Sequence, residues 1–418
     1  MITIHKPEIV EHDGKVRIQT AIDIDGEKKQ IWFEVDPEYA EYLCPERSDA
    51  YVIGLLSWAM RHKHDITCEV PMGEELHYQI STYLIPSLAK NSKVLYPTKI
   101  VADLADTPVS NAGAIGTGIS CGIDSMHVLA SQAENGHLYP SLKITHLIHN
   151  NVGSHGVGRR AELLHPGVKA NAVKFANEIG LKIITTDSNF AESFWEGHWH
   201  HLFMQTYSDC FAIYMLQKLW KVYFYASDGG GDFSTFNIVN SEKNGPYKYD
   251  LLSLSCFSTQ SLTIYSEGGA KTRFEKTKTV VTYPPAKKYL NVCVFSVSNC
   301  GECWKCSRTL LALDALNQLD DFQAVFDIDH YKSHRWRYYC RLYGEKLRGN
   351  KYLKGIYEIL RPKINVLHRL GGVAWFFAFW GFEFFEWFCN KVPFFSKRYN
   401  AYVQDLLDRK AEAGGSRE

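Results

Sequence analysis

The sequence predicts an α/β protein centred on a doubly wound parallel sheet, preceded by an α+β module and followed by a helical region. Three observations indicate this fold. Residues 112–290 alternate short apolar runs with helical periodicity, as the strands and crossover helices of a parallel sheet do. Two predicted helices are followed by glycines at positions typical of left-handed C-terminal caps, Gly136 and Gly180. Apolar residues make up 45% of the chain, which excludes a mainly disordered protein.

A chain of 418 residues exceeds one ordinary core, so we expect three domains: 1–108, 109–325 and 326–418. Lys plus Arg and Asp plus Glu are both 46, so the overall charge does not favour a nucleic acid partner. The N-terminal residues lack a signal peptide pattern, and the scattered cysteines do not form a disulfide framework. Both features predict a cytoplasmic protein.

The first domain carries no chemical motif. Alternation of apolar and polar residues around Asp25-Gly26 predicts a hairpin within 22–35. We expect a helix capped by Ser48, a second helix opening at Pro71, and a strand over 93–105.

The second domain is predicted to alternate strands and helices. The predicted strands are 114–120, 143–149, 181–186 and 221–227, and the predicted helices are 126–135, 168–179 and 207–219.

The first predicted strand of this domain runs into a short polar loop and then a helix. Such a junction gathers backbone N–H groups and the positive end of the helix dipole around one point, which suits a polyphosphate. Asp124 could orient loop amides or hold Mg²⁺. The alternative is an ordinary turn without a ligand. The loop residues are Ser120-Cys121-Gly122-Ile123-Asp124-Ser125.

This loop resembles the Ser-Gly-Gly-x-Asp-Ser signature of PP-loop ATP pyrophosphatases, with Cys121 where that pattern usually has glycine. The resemblance implies ATP binding by residues 120–125 and cleavage of ATP between its α and β phosphates. It also implies an adenine nucleotide alpha hydrolase-like fold of the HUP type.

Four cysteines are clustered: Cys293, Cys300, Cys303 and Cys306. Four thiolates complete a closed tetrahedral Zn²⁺ site, which predicts a structural metal. An iron–sulfur cluster and a redox C-x-x-C pair are the alternatives.

The run Asn299–Leu316 is similar to the zinc-binding end of 7-cyano-7-deazaguanine synthases and of asparagine synthetase-related proteins, which are themselves PP-loop proteins. The resemblance covers about residues 112–325 and implies an AMP-forming ligase that joins carbon to nitrogen. In that chemistry a substrate carboxylate attacks the α-phosphate of Mg·ATP, and ammonia or an amine then displaces AMP. We expect a small-molecule or peptide carboxylate as substrate and an amide-type or nitrile product.

Other polar residues are candidates for lining this site. Asn150 ends the second strand at the sheet edge where ligands bind, and Arg159 or Arg160 could neutralise pyrophosphate. Arg273 and Lys276 could hold phosphate or the substrate carboxylate, and the glycines of 229–231 could form a lid. For each, an ordinary surface or turn position is the alternative.

Two further features have open roles. The histidines His198, His200 and His201 could bind metal, line a pocket or pack. Cys121 should have a lowered thiol pKa if it is exposed at the helix N-terminus. It is either a sulfur carrier or a tolerated replacement of glycine.

The third domain is basic over 331–369 and densely aromatic over 371–388. Glu383 and Glu386 argue against a membrane-spanning helix. Peripheral contact with the inner face of the membrane, a homodimer interface and an internal core position are the alternatives for the aromatic stretch.

The sequence shows no glutaminase constellation, so free ammonia, a partner amidotransferase or an amine substrate must supply nitrogen. Two functions of other kinds stay open. One is thiolation of tRNA by a PP-loop enzyme, in which basic residues of 332–354 contact phosphates. The other is a non-catalytic, zinc-stabilised nucleotide-binding protein.

Overall fold

The computed structural model describes residues 1–154, 156–195, 200–228 and 250–391, and the pairs 402–403, 405–406, 408–409 and 411–412. For 200–202 and 386–391 it describes the backbone alone. The chain divides into two compact units. Unit 1 comprises Met1–Ser120, Ser131–Ala161 and Ala172–Ala270, and unit 2 comprises Cys121–Ala130, Glu162–Asn171 and Lys271–Glu418.

All strands of the described residues belong to unit 1. They are β1 (Ile2–Ile4), β2 (Glu8–His12), β3 (Lys15–Ile24), β4 (Glu27–Val35), β5 (Ile66–Cys68), β6 (Met72–Gly73), β7 (Ile100–Val101), β8 (Leu104–Ala105), β9 (Ala114–Gly118), β10 (His146–Asn151), β11 (Lys182–Ser188), β12 (Trp220–Ala226) and β13 (Thr263–Glu267). Eleven of them form one sheet in the order β13-β12-β9-β10-β11-β4-β3-β1-β5-β7, with β2 beside β3, while β6 and β8 pair separately.

The five strands β9 to β13 are parallel to one another. They lie in the order β11-β10-β9-β12-β13, so the first strand along the chain is in the middle, with the second and third on one side and the fourth and fifth on the other. This is the order of a doubly wound sheet, whose topological switch point lies between its first and fourth strands. Antiparallel pairing begins where β11 meets β4. The prediction of an α/β fold with a large, mostly parallel sheet is therefore confirmed.

The hairpin predicted around Asp25-Gly26 is confirmed as β3 and β4. Residues of β4 pair directly with β11, so part of the predicted first domain continues the sheet of the second. The three predicted domains stay a prediction, and the two compact units follow other boundaries. The strand predicted over 93–105 is wrong, since only β7 and β8 form there. Pro97 has no N–H for a strand ladder.

The helices are α1 (Asp49–His62), α2 (Glu74–Gln79), α3 (Ile85–Asn91), α4 (Ile123–Asn135), α5 (Arg159–Ile179), α6 (Phe190–Phe194), α7 (His200–Met215), α8 (Asp250–Cys256), α9 (Arg273–Val280), α10 (Ala286–Tyr289), α11 (Trp304–Ala315), α12 (Ile328–Ser333), α13 (Arg335–Leu347), α14 (Lys354–Leu360) and α15 (Val366–Lys391). A π-helical turn over Ile80–Leu84 joins α2 to α3.

Several predicted helix ends differ from the structure. α5 begins earlier than predicted, at Arg159, and the helix expected at Pro71 begins at Glu74 because β6 precedes it. Ser48 does precede α1, but its hydroxyl makes no cap hydrogen bond and lies 3.4 Å from the Pro71 carbonyl oxygen. Gly180 ends α5 in the left-handed region, whereas Gly136 starts a 3-10 turn.

The core of unit 1 is aromatic and tightly packed. α1 is buried almost along its whole length and packs against α7. Phe211 contacts Phe33, Tyr51 and Phe190, and a Cβ on Gly54 would approach the Phe190 ring to 2.8 Å. Close packing of this kind fixes the helices on the sheet.

Candidate functional site

The loop 120–125 crosses from unit 1 into unit 2. Ser120 follows β9 at its carboxyl end, in unit 1, and Cys121 to Ser125 belong to unit 2. At the start of α4, the Gly122 carbonyl oxygen accepts from the backbone N–H of Met126 at 2.9 Å and from the Ser125 hydroxyl at 3.2 Å. The segment therefore has the strand, loop and helix start that the sequence predicts.

Cys121 adopts a left-handed conformation, with φ of 58°. Glycine occupies this region without steric cost, whereas a residue with a Cβ, such as Cys121, is strained there. The Cys121 side chain is fully buried, and burial raises its thiol pKa to about 12. The sequence predicts a lowered pKa for Cys121 only if its thiol is exposed. The thiol is buried, and loss of solvent disfavours the charged thiolate, so the pKa rises instead.

Arg273 and Lys276 lie one turn apart at the start of α9. This helix begins with a capping box: the Thr272 hydroxyl accepts from the Glu275 backbone N–H at 3.2 Å, and Glu275 accepts from the Thr272 backbone N–H at 2.7 Å. The reciprocal bonds fix the first turn and thereby the direction of both basic side chains. Sequence reasoning selected the two basic residues but missed the cap, although the Thr-x-x-Glu spacing signals it.

Both cations contact Asp124. The Lys276 ammonium donates to Asp124 Oδ1 at 3.0 Å, and the Arg273 guanidinium donates to Oδ2. Lys276 is only 1% exposed, and 20% of the Asp124 side chain is exposed. Burial would raise the pKa of Asp124, but the charges and hydrogen bonds of Arg273 and Lys276 outweigh it and lower the pKa. Three of the residues predicted to act in the site, Asp124, Arg273 and Lys276, therefore form one charged cluster in unit 2.

His127 also belongs to this region and was not predicted. It lies three residues after Asp124 on α4, is buried, and has its pKa lowered to about 4 by burial and by the charges of Lys271 and Lys276. A neutral imidazole at pH 7 is consistent with a positively charged neighbourhood. The signal in the sequence was its i, i+3 spacing from Asp124.

The remaining predicted nucleotide contacts lie in unit 1. Asn150 is the penultimate residue of β10, and its Oδ1 accepts from the Thr186 hydroxyl at 2.8 Å, a bond that joins β10 to β11 near their carboxyl ends. Arg160 lies in the first turn of α5. Ser120, just after β9, and Asn150, near the end of β10, thus lie at the carboxyl ends of adjacent parallel strands, the edge where ligands of doubly wound sheets bind.

The four clustered cysteines are brought together in unit 2. Their Sγ atoms all lie within 4.8 Å of one another, and the distance between the Sγ atoms of Cys300 and Cys306 is 4.0 Å. Sulfurs around tetrahedral zinc, with Zn–S bonds of about 2.3 Å, would be about 3.8 Å apart. The donor set and spacing therefore fit one zinc ion. A hydrogen bond with Cys300 lowers the pKa of the Cys293 thiol to about 7.

Backbone N–H groups support the sulfurs. Those of Cys303 and Cys306 donate to the preceding cysteine sulfurs at 3.3 Å each. Such bonds favour the thiolate form that metal binding requires. Gly301, between these ligands, has a φ of 77°, a conformation that glycine adopts readily. All ten cysteines whose side chains are described are free thiols.

Asn299 holds the cysteine loop in shape. Its amide nitrogen donates to the carbonyl oxygens of Leu290 at 2.8 Å and Val325 at 3.0 Å, and its oxygen accepts from the Val292 backbone N–H at 2.8 Å. From α13, Tyr338 and Arg341 donate to the carbonyl oxygens of Gly301 and Glu302. The cysteine spacing identifies the ligands, but it does not reveal the supports from Val325, Tyr338 and Arg341, because these residues are distant along the chain.

Some predicted features lie outside the described residues. These include His198, the side chains of His200 and His201, and the glycine loop 229–231. Ser227 is described, and its hydroxyl donates to Asp250 Oδ2 at 2.9 Å.

Comparisons with known proteins gave no match, either to protein-family models, to curated proteins or to solved structures.

Proposed function

We propose that this chain is an ATP-dependent, AMP-forming ligase of the PP-loop class with a HUP-type sheet. It adenylates a small-molecule or peptide carboxylate and then transfers the acyl group to ammonia or an amine. The proposal rests on one main observation: Asp124, in the loop 120–125 that resembles an ATP-binding signature, is bound by Arg273 and Lys276. Further support comes from the doubly wound strand order and the four-cysteine cluster.

The net charge of the Asp124, Arg273 and Lys276 cluster is positive, as binding of a polyphosphate requires. Arg273 and Lys276 carry two positive charges and Asp124 carries one negative charge, so the trio retains a net charge of about +1 before ligand binds. Buried cations without a partner are costly, and Asp124 supplies that partner in the free protein. When Mg·ATP binds, phosphate oxygens can take over part of this pairing.

The proposed first step forms a bond between a carboxylate oxygen of the substrate and the α-phosphorus and breaks the bond to the β-phosphate oxygen. Arg273 and Lys276 would stabilise the charge on the departing pyrophosphate, and backbone N–H groups at the start of α4 would bind phosphate. In the second step the nitrogen attacks the acyl carbon, and AMP leaves. Nitrogen comes from free ammonia, a partner amidotransferase or an amine substrate.

Each metal ion has a separate role in the proposal. Asp124 is the carboxylate that would hold Mg²⁺, which prefers oxygen ligands; both of its oxygens contact cations in the free protein, so magnesium and these cations would share it. Zinc would be held by Cys293, Cys300, Cys303 and Cys306 in a closed structural site. A cytoplasmic location and a homodimer remain part of the proposal.

The experiment uses Mg·ATP, ammonium and pools of small carboxylic acids, with AMP, ADP and pyrophosphate quantified. We expect AMP and pyrophosphate with at least one pool. Lys276→Met should weaken ATP binding about tenfold or more, because a charge-assisted contact is lost. The matched control is Lys278→Met, an exposed lysine of the same helix. Formation of ADP and phosphate instead, or unchanged ATP affinity in folded Lys276→Met, would contradict the proposal.

Thiolation of tRNA stays the alternative enzymatic function, and exposed basic residues such as Lys332, Lys346 and Lys354 favour testing it. Its signature would be AMP formation that depends on tRNA, with binding that weakens steeply as salt rises. ATP binding without pyrophosphate release from any substrate would instead indicate a non-catalytic nucleotide-binding protein.

A further inference from the structure

The helix α15 has two different faces. One face packs against α13 so closely that a Cβ on Gly372 would lie 2.7 Å from the Cys340 carbonyl oxygen. Trp375 stacks on Phe379 on this side, and the Arg348 guanidinium lies 3.6 Å from the Phe379 ring centre. Arg348 also pairs with Glu383 at 2.8 Å. This face of α15 is therefore part of the folded interior of unit 2.

The opposite face carries a regular stripe of large apolar side chains. Successive members are four, three, four, three and four residues apart, which places them on one side of a helix. All are exposed, with 62% of Leu370, 65% of Phe377 and 62% of Trp380 accessible. We call these residues the aromatic stripe: Val366, Leu370, Val373, Phe377, Trp380 and Phe384.

Among the side chains of α15 that the structure describes, only Arg369 and Glu383 are charged, and both lie to one side of the aromatic stripe. At about 100° per residue, Arg369 and Glu383 are about 80° and 120° from Phe377 around the helix axis, on the same side as Trp380 at about 60°, so Arg369 borders the stripe. His368, at about 180°, lies on the packed side and contacts Tyr339. An exposed apolar stripe of this length is uncommon on a protein surface, and it marks an interaction site.

The chain around α15 is strongly basic, although the whole protein has no net charge. Between 331 and 385 only two acidic residues are exposed, Glu358 and Glu383. The exposed cations there are Lys332, Arg337, Lys346, Lys351, Lys354, Arg361, Lys363 and Arg369. An anionic surface would complement this excess of exposed cations.

We propose that the aromatic stripe docks on an anionic lipid membrane, with α15 lying along the interface. Phe and Trp side chains bury into the boundary between headgroups and acyl chains, and the neighbouring cations meet lipid phosphates. The helix does not cross the bilayer: none of the described helices is long and apolar enough to do so. Docking would hold unit 2 at a membrane surface, whether or not the chain uses ATP.

The test is flotation of the full-length protein with vesicles of phosphatidylcholine, with and without about 30% phosphatidylglycerol, the lipid that supplies the negative surface potential. The protein should float with the anionic vesicles and much less with the neutral ones. Phe377→Gln/Trp380→Gln should lower the partition coefficient at least about tenfold, because two buried aromatic side chains are lost. Since both side chains are exposed, this variant should fold normally. Leu138→Gln/Tyr139→Gln, which replaces two exposed apolar residues elsewhere, should float like the parent.

A second variant tests how much the cations contribute to membrane binding. Arg361→Gln/Arg369→Gln should reduce binding to anionic vesicles about fivefold per cation and should leave binding to neutral vesicles unchanged. Absence of flotation, or flotation that Phe377→Gln/Trp380→Gln leaves intact, would overturn the proposal. So would a dimer that this variant dissociates in the absence of vesicles, because the stripe would then be a contact between copies.

Discussion

The backbone N–H of Asn291 donates a 2.9 Å hydrogen bond to the carbonyl oxygen of Cys121. Asn291 lies two residues before Cys293, the first cysteine of the four-cysteine cluster. Cys121 belongs to the loop 120–125, the proposed ATP-binding loop. Asn291 is also bound on its other side, since its side-chain amide donates to the Val297 carbonyl oxygen within the cysteine loop. The two candidate sites of unit 2 therefore share a direct structural link.

We predict that loss of the metal weakens both sites. The purified protein should contain about one zinc per chain, and Cys303→Ser or chelation should lower the free energy of unfolding by at least about 3 kcal/mol. ATP affinity should fall at the same time, because the Asn291 contact to Cys121 would lose its fixed position. Elemental analysis, thermal unfolding and ATP titration measure these effects. A metal-free protein of unchanged stability, or one containing iron, would contradict the zinc assignment.

Cys121→Gly tests whether the thiol has a chemical role. The substitution removes a left-handed strain of about 1–2 kcal/mol but also removes a buried side chain of comparable value. We therefore expect stability within about 1 kcal/mol of the parent and unchanged pyrophosphate release. Loss of turnover in this folded variant would support the alternative of a sulfur carrier.

His127 should make the protein sensitive to acid. Its folded pKa of about 4 lies below the ordinary value of about 6.5. Between these values the unfolded chain binds a proton that the folded chain does not, so stability falls as the pH falls through this window. His165, whose pKa burial lowers to about 4 as well, titrates in the same range.

His127→Gln should therefore reduce, without abolishing, the loss of stability between pH 6.5 and 4 that denaturant titrations at several pH values measure. The control is His137→Gln, because His137 is exposed. Parallel pH profiles for the parent and His127→Gln would show that His127 does not contribute.

Gly372→Ala should loosen the packing of α15 on α13. The new Cβ would meet the Cys340 carbonyl oxygen at 2.7 Å and the Tyr343 side chain at 2.8 Å, and overpacking of this kind costs about 1–3 kcal/mol. On the same helix, a Cβ at Gly381 would meet nothing within 4 Å, so Gly381→Ala should be neutral or slightly stabilising. Thermal unfolding and limited proteolysis within α15 distinguish the two variants. Equal behaviour would show that close approach at Gly372 is unimportant.

Local features of this protein were predictable from its sequence. The Asp25-Gly26 turn, the alternation of strands and helices, and the four cysteines depend on spacing between near neighbours, which hydrogen-bond geometry and metal coordination constrain directly. Three ligands of the cysteine cluster lie within seven residues, Cys300 to Cys306, so their spacing nearly defines the site.

The tertiary structure decided the features that depend on distant partners. Asp124 meets Arg273 and Lys276 across 149 and 152 residues, and nothing in their separate surroundings specifies that pairing. The same holds for β4 beside β11, which continues the parallel sheet with an antiparallel strand. α15 is apolar on nearly all sides, so its sequence cannot tell a packed face from an exposed one. The packed face is the one on which Gly371 and Gly372 lie against α13, where the absence of a side chain permits the close approach of the two backbones.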